Sequence, residues 1–185
     1  MSDNIKVSIV SLGCAKNRVD AEMMLYKLKE AGFVLKDDPA EGDAVIINTC
    51  GFIESAKQES IEEILELAKL KEEGKIKALI VSGCLAQRYK SDIKKELPEV
   101  DVVIGLGANG DIVEAVKKAL NKEDFESFPD KELMPLGDKR IGSTLPHYAY
   151  LKVADGCDNK CTYCAIPMIR GRFRSRTMES IIDEA

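Results

Sequence analysis

The sequence has one histidine, no apolar run long enough to cross a membrane, and no excess of positive charge. Its first residues, MSDN, lack the basic and apolar regions of a signal peptide. With 27 Lys and Arg against 32 Asp and Glu, the formal net charge is −5, which argues against a protein that coats nucleic acid. We therefore expect a cytoplasmic protein with no membrane partner, and no direct nucleic-acid binding by this chain.

Six cysteines are present, and the expected cytosolic location decides how they are interpreted. In a short secreted chain an even number would suggest disulfides, but thiols stay reduced in the cytosol. The hydrophobic share of 45% allows a packed core without disulfides. Buried and chemically inert cysteines are the simplest alternative. The positions of the six along the chain favour ligands instead.

The first 120 residues alternate between strand-like and helix-like patterns. Apolar, β-rich runs predict strands over residues 5–10, 43–48, 78–81 and 101–104. Helices are predicted between them, one opening with a capping box at Ser55 and Gln58, one ended by Pro98, and a last one over residues 109–120. Such alternation produces a parallel sheet covered on both faces. The fold class is therefore α/β, a doubly wound, flavodoxin-like parallel sheet.

Cys14, Cys50 and Cys84 each follow a predicted strand and a small residue. Because parallel strands point the same way, all three thiols should emerge at the carboxyl edge of the sheet, where open α/β sheets bind their ligands. The sequence therefore predicts one shared cluster site, with buried structural cysteines as the alternative.

The pattern changes after residue 121. Prolines and glycines interrupt short apolar pieces from residue 122 to residue 146, which is typical of a linker. Residues 148–154 (YAYLKVA) then predict a new strand, and residues 180–185 predict a helix. We therefore divide the chain into a sheet domain (1–121), a linker (122–146) and the start of a second domain (147–185).

Cys157, Cys161 and Cys164 form a second trio with the spacing CxxxCxxC. A loop of that length can bind three corners of a four-iron cluster and leave one iron without a protein ligand. Structural zinc is less consistent with the sequence, because a fourth local cysteine is missing and the single histidine is His147. A redox disulfide of Cys161 and Cys164 lacks a thioredoxin-like pattern around it.

Two further residues near this trio are candidate cofactor contacts. Tyr163 lies inside the loop and could pack near an adenine, although a plain packing role fits equally well. Arg170 belongs to a locally basic segment that could meet a carboxylate of a cofactor or an anionic substrate. The alternative for that segment is an ordinary solvated loop.

These motifs resemble those of the methylthiotransferase branch of the radical S-adenosylmethionine enzymes. The sheet domain with its cysteine trio is similar to the amino-terminal domain of that branch. GCDNKCTYCAIPMIRGRFRSR (residues 156–176) is similar to the start of its α/β barrel. SLGCAKNRVDAEMM (11–24) and CGFIESAKQESIEEI (50–64) most resemble the members that modify an aspartate of the twelfth small-subunit ribosomal protein. Members that modify tRNA typically have Gln and Met where this chain has Ala15 and Lys16.

The resemblance implies specific roles for both trios. Cys157, Cys161 and Cys164 would bind the 4Fe-4S cluster that cleaves S-adenosylmethionine to a radical. The trio in the sheet domain would bind an auxiliary 4Fe-4S cluster that holds the sulfur to be inserted. The radical would remove hydrogen from the β-carbon of the aspartate, and a flavodoxin or ferredoxin would supply electrons.

Family members continue through a whole barrel and a small β-rich domain, neither of which is complete here. The resemblance therefore implies that this chain is an amino-terminal fragment and does not turn over alone. Two alternatives to the ribosomal substrate stay open: methylthiolation of a tRNA adenosine, and a non-catalytic iron–sulfur or zinc-binding module.

Overall fold

A six-stranded parallel sheet with helices on both faces forms the centre of the computed structural model, which describes residues 4–185. The strand order is β2-β1-β3-β4-β5-β6, and every neighbouring pair is parallel. Because the first five strands have the order of flavodoxin-like sheets, the predicted fold class is confirmed. Residues 1–3, part of the start inspected for a signal peptide, lie outside the described residues. Among the described residues, no helix is both long and apolar enough to cross a membrane.

Strands and helices alternate along this part of the chain. The strands are β1 (Lys6–Ser11), β2 (Val34–Lys36), β3 (Ala44–Thr49), β4 (Ala78–Gly83), β5 (Val102–Ile104) and β6 (Phe125–Ser127). The helices are α1 (Ala15–Glu30), α2 (Glu54–Glu72), α3 (Cys84–Arg88), α4 (Lys90–Glu96) and α5 (Ile112–Leu120), with 3-10 turns at Pro39–Glu41, Leu106–Asp111 and Lys131–Leu133. Every residue of β3 and β4 is buried, so these two strands form the centre of the sheet.

Different helices cover the two faces of the sheet because side chains alternate along each strand. Ile46 of β3 packs in a cluster with residues of α1 and α5, including Met24. Its neighbour Ile47 packs on the opposite face, in a cluster that includes Ile64 of α2. Burying an aliphatic side chain of this size contributes about 1.5–3 kcal/mol. The continuous apolar run of β3 is therefore the signature of a strand that is buried on both faces.

The two outer strands, β2 and β6, are absent from the sequence prediction. Each has three residues, and none of those residues is buried. A short, half-exposed edge strand has no apolar run that periodicity could detect. β6 lies in the segment predicted as a linker, so the first part of that segment completes the sheet.

Helix boundaries differ from the prediction in three places. α2 begins with Ile53 as its N-cap and without a side-chain cap, so the predicted capping box at Ser55 and Gln58 is wrong. The helix predicted before Pro98 consists of α3 and α4, which meet at Tyr89. The helix predicted over residues 109–120 begins as a 3-10 turn and becomes α-helical in α5.

The remainder of the chain has little regular structure. β7 (Ala154–Asp155) pairs antiparallel with β8 (Arg174–Ser175), and two helices follow, α6 (Ile166–Arg170) and α7 (Met178–Glu184). The prediction of a strand over residues 148–154 is wrong except at its last residue. A strand needs a partner for its ladder of hydrogen bonds, and within the described residues this run pairs only through β7. The predicted terminal helix is confirmed by α7, which Thr177 caps.

Candidate functional site

The first trio lies where three parallel strands end. Cys14 follows β1 by three residues and is the N-cap of α1, while Cys50 and Cys84 come directly after β3 and β4. The last paired residues of β3 and β4 are Thr49 and Gly83, so Cys50 and Cys84 leave the sheet side by side. The three cysteines therefore follow strand ends at the carboxyl edge of the sheet, as expected, and their role as ligands stays a prediction.

The backbone around Cys50 is tightly fitted. A Cβ atom placed on Gly13 would lie 2.7 Å from Cβ of Cys50, so the chain before Cys14 passes directly against that side chain. The hydroxyl of Ser60 in α2 accepts a hydrogen bond from the Cys50 amide and donates one to its carbonyl, both at 3.0 Å. These contacts fix the position of Cys50 relative to β1 and α2.

The glycine before Cys84 sets the direction of the backbone at that cysteine. Gly83 has a φ of +95°, which side chains rarely allow, and a Cβ there would lie 2.5 Å from the carbonyl oxygen of Thr49. The sharp change of direction at Gly83 starts α3 with Cys84 at its first position. The residue type at position 83 is therefore set by the strand-to-helix turn that presents the cysteine.

The Cys84 thiol is buried and has two polar partners. It donates to Oδ1 of Asn17 at 3.4 Å and accepts from a terminal nitrogen of Arg170 at 3.6 Å. Burial raises the pKa of the Cys84 thiol to about 11, although the positive charge of Arg170 opposes that shift. Cys84 is 5% exposed, whereas Cys14 is exposed to solvent. The three thiols of the first trio therefore have different environments.

The donor chemistry of the first trio suits an iron–sulfur cluster, because soft thiolates are the usual ligands of such clusters. The thiols of Cys14, Cys50 and Cys84 do not converge on one point. Within residues 4–185, no group of three or more Cys, His, Asp or Glu side chains is arranged to hold a metal ion. The first trio thus fits a cluster in donor type and in place, and its thiols would have to turn towards one point to bind one.

The second trio shares one pocket. Cys157, Cys161 and Cys164 line a cavity of about 490 Å³ together with Asp158, Asn159, Lys160, Pro167 and Arg172. The amide of Cys164 donates to the carbonyl of Cys161 at 3.1 Å, which closes a tight turn between two of the cysteines. Three cysteines around one open cavity suit a cluster that keeps one iron accessible, and their thiols, like those of the first trio, would have to turn towards one point to bind it.

A second glycine sets the entry to this pocket. Gly156 has a φ of +76°, and a Cβ there would lie 1.9 Å from the carbonyl oxygen of Arg172. The amide of Cys157 donates to the carbonyl of Gly171 at 3.1 Å. The start of the cysteine loop is therefore packed against the segment that follows α6.

The two candidate cofactor contacts lie in opposite environments. Tyr163 is 89% exposed and stands at the surface of the cysteine loop. Arg170 is 3% exposed, and both of its terminal nitrogens donate to protein atoms. Of the other basic residues in the segment, Arg174 and Arg176 donate to backbone carbonyls, and Arg172 is mostly exposed. Both cofactor roles stay predictions, and the surroundings favour Tyr163 over Arg170.

Sequence reasoning missed a buried group of charges between the two trios. Asp20, Lys152 and Asp155 join Arg170 there, each with a side chain no more than 2% exposed. Burial raises the pKa of Asp155, but the neighbouring charges of Arg170 and Lys152 outweigh it and leave that pKa below its ordinary value. The available signal was Lys152 in the middle of an apolar run, at a place where a lysine is otherwise unexpected.

The fold and its cysteine-bearing edge define a family of α/β proteins. The family model described as uncharacterized protein family UPF0004 matches residues 6–105, from β1 to the end of β5. Because this match covers more than half of the chain, the chain belongs to that family.

Curated relatives extend the similarity over nearly the whole chain. Proteins named ribosomal protein uS12 methylthiotransferase RimO are 53% identical over 178 residues in Desulforamulus reducens and 50% identical over 188 residues in Acetivibrio thermocellus. One from Lachnoclostridium phytofermentans is 48% identical over 182 residues. These matches cover 95–98% of this chain and 40–41% of the relatives. The resemblance to methylthiotransferases is therefore confirmed, and the chain spans about two fifths of the length of these relatives.

Proposed function

We propose that this chain is the cysteine-bearing part of an enzyme that places a methylthio group on the β-carbon of an aspartate in ribosomal protein uS12. The observation that carries the proposal is the pair of cysteine trios at neighbouring places, one at the sheet edge and one around a single pocket. Arg170 contacts both Cys84 and Asp155, which precedes Cys157 by two residues. Relatives of about 50% identity are named as uS12 methylthiotransferases, which supports the choice of substrate.

The second trio is the proposed site of radical formation. Cys157, Cys161 and Cys164 would hold a 4Fe-4S cluster in their shared pocket and leave one iron to bind S-adenosylmethionine. Arg172 and Lys160 line the same pocket, so they can offer positive charge to the carboxylate of that cofactor. Tyr163 offers an exposed ring for its adenine.

The first trio is the proposed site of the auxiliary cluster. Cys14, Cys50 and Cys84 supply the three thiols, and the Cys84 thiol would exchange its hydrogen bond to Asn17 for the metal. A coordinating thiol is deprotonated, and the adjacent Arg170 would balance the resulting negative charge. When bound, the two clusters would supply the electron that cleaves S-adenosylmethionine and the sulfur that is transferred.

The substrate chemistry explains why two such sites belong together. A saturated β-carbon next to a carboxylate has no readily lost proton, so acid–base catalysis is a poor route to its modification. A radical route needs both an initiator and a source of sulfur. The enzyme would act in the cytoplasm, where its ribosomal substrate is made, and would take electrons from a flavodoxin or ferredoxin.

Iron analysis of single-trio variants tests this proposal. We expect anaerobic reconstitution to give about eight irons per chain, in two four-iron clusters. Replacing Cys157, Cys161 and Cys164 together by alanine should leave about four irons, and so should the same change in the first trio. The matched control is Tyr163→Phe, which alters the same loop and leaves every thiol in place. Stoichiometric zinc without iron–sulfur absorption would contradict the proposal.

The substrate is tested separately, on a longer protein that contains this chain. The protein would be incubated with S-adenosylmethionine, sulfide, a strong reductant, and either uS12 or tRNA. Mass spectrometry should find methylthio on an aspartate of uS12. Methylthio on a tRNA adenosine instead would overturn the substrate assignment and leave the cluster assignment standing.

A further inference from the structure

A buried, charge-balanced group joins the two cysteine-bearing regions. Lys152 donates to Asp20 at 2.5 Å, and one terminal nitrogen of Arg170 donates to Asp20 at 3.0 Å and to Asp155 at 2.7 Å. Lys152 also lies 3.9 Å from Asp155. We call these four residues the charge quartet. Its two positive and two negative side chains are each no more than 2% exposed, so the four are neutral together. The half-exposed Lys16 of α1 adds a further positive charge, 3.2 Å from Asp155.

The quartet connects parts of the chain that are far apart in sequence. Asp20 belongs to α1, while its partners Lys152 and Arg170 are 132 and 150 residues away. Asp155 lies just before the cysteine loop and Arg170 ends α6, just after it. Both ends of the loop that carries the second trio are therefore tied to the first helix of the sheet domain.

Arg170 reaches beyond the quartet to the first trio. Its second terminal nitrogen donates to Oδ1 of Asn17 at 2.6 Å and to the Cys84 sulfur at 3.6 Å. Asn17 in turn donates to the carbonyls of Leu12 and Thr49, at the ends of β1 and β3. The guanidinium of Arg170 thus contacts both Asp155, beside the cysteine loop, and Asn17, which is hydrogen-bonded to the ends of two strands.

Apolar packing between the two regions is limited. The cluster that joins them contains Cys84, Leu106, Met134, Ala165 and Ile169. A small apolar contact allows several relative placements, whereas paired buried charges are satisfied only when every partner is in place. The charges are therefore better suited than the apolar residues to fix one arrangement.

We propose that Arg170 is a positioning residue that, through the charge quartet and Asn17, fixes the cysteine loop against α1 and beside Cys84. This role concerns the relative placement of the two trios and is independent of what the trios bind. It goes beyond the proposed enzymatic function, because it gives one residue, Arg170, a role in positioning both cysteine trios relative to each other.

Distance measurements on the metal-free chain test the proposal. A keto amino acid that carries a spin label would be introduced at Glu66 in α2 and at Tyr163, both of which are exposed. Pulsed electron paramagnetic resonance should give one narrow distance in the parent chain. Arg170→Gln should broaden it, and Arg170→Lys, which keeps the positive charge, should restore most of the narrow distribution.

Arg172→Gln is the matched control, because Arg172 is two residues away and its mostly exposed side chain pairs with the exposed Asp158, at 3.6 Å. It should leave the distance distribution unchanged. A narrow, unchanged distribution in a folded Arg170→Gln chain would overturn the proposal. So would a broadened distribution in Arg170→Lys that equals the one in Arg170→Gln.

A double variant keeps the test decisive if Arg170→Gln does not fold. Removing Arg170 alone leaves the buried quartet with one excess negative charge, which only the half-exposed Lys16, 3.2 Å from Asp155, offsets in part. The folding equilibrium constant should therefore fall by about tenfold or more. Asp155→Asn combined with Arg170→Gln restores neutrality, so the double variant should be at least about tenfold more stable than the sum of the single effects predicts. The folded double variant should still show the broadened distance. A narrow distance there would overturn the proposal.

Discussion

The two cysteine trios are held in opposite ways. The first is assembled from three strand ends that are 36 and 34 residues apart in sequence, and two of its thiols are buried. The second lies within eight consecutive residues, in a loop without regular structure, and its thiols line one open pocket. The comparison shows that a stiff sheet fixes where cysteines emerge without deciding where their thiols point. A short loop places its three cysteines around one pocket by spacing alone, although within residues 4–185 neither trio has its thiols arranged to hold a metal ion.

The largest expected effects come from two of the glycines with positive φ, Gly83 and Gly156, each of which directly precedes a cysteine. Gly83→Ala should lower the free energy of unfolding by about 3 kcal/mol, because the new Cβ meets the central strands and the backbone is strained. Gly156→Ala should leave the unfolding of the sheet within about 1 kcal/mol of the parent, because its clash is with the backbone of Gly171 and Arg172, outside the sheet. Denaturant unfolding followed by circular dichroism measures both.

Gly110→Ala is the control for these glycine variants, since a Cβ at that position meets no atom within 4 Å. It should change the unfolding free energy little. Equal losses of stability in the Gly83 and Gly156 variants would show that the cysteine loop and the sheet unfold as one unit, contrary to the comparison.

Thiol reactivity sharpens the comparison within the first trio. In the metal-free chain at neutral pH, Cys84 should react with iodoacetamide roughly 100-fold more slowly than the exposed Cys14, since its pKa is raised to about 11 and only the thiolate reacts. Cys161, which is exposed, should react as fast as Cys14. Mass spectrometry of timed samples gives the rates. Urea should abolish the difference, and similar rates for Cys84 and Cys14 in the folded chain would contradict the burial of Cys84.

The smallest expected change in stability is at the amino edge of the sheet, opposite the edge that carries the first trio. Asp43 accepts from Lys77 and from the amide of Lys6, both at 2.8 Å, and these bonds hold the pKa of Asp43 below its ordinary value of 3.8. A lowered folded-state pKa stabilises the fold above pH 3.8, and this contribution disappears as the pH falls through the lowered pKa. The loss should be about 0.5–1 kcal/mol, because the carboxylate is partly exposed and screened.

Urea unfolding at pH 6 and at pH 2.5 measures that loss, with Asp43→Asn as the reference. The variant should lose less stability on acidification than the parent by the same amount. An identical pH dependence in the two chains would show that Asp43 contributes nothing to the sheet. The cysteine loop should be indifferent to this substitution, since Asp43 lies at the far end of β3.

The parts of the fold that the sequence predicted are those with strong local patterns. Strands β3 and β4 were predictable from continuous apolar runs, and the fold class followed from the alternation of strands with helices. The edge strands β2 and β6 were not predicted, because three half-exposed residues carry no periodic signal. The predicted strand over residues 148–154 failed for the converse reason: its pattern is strand-like, but pairing depends on a neighbour that a local pattern does not contain.

The same distinction between local patterns and distant contacts applies to the candidate site. Spacing alone identified Cys157, Cys161 and Cys164, and strand direction identified the shared edge of the first trio. The partners of Cys84 and most partners of Arg170 were not predictable, because these contacts join residues 67 to 153 positions apart. The basic segment around Arg170 suggested a cofactor contact, whereas the structure gives that guanidinium a set of buried protein partners.

By itself the sequence determined the α/β sheet, the place of the first trio at its carboxyl edge and the compact second trio, because apolar periodicity and short spacing are local properties of the chain. Only the tertiary structure decided that Asp20, Lys152, Asp155 and Arg170 meet, and that Arg170 also contacts Cys84. A charged side chain that loses its water on folding needs a partner of opposite charge. Which residue becomes that partner depends on how the chain packs, and not on how far apart the two are in sequence.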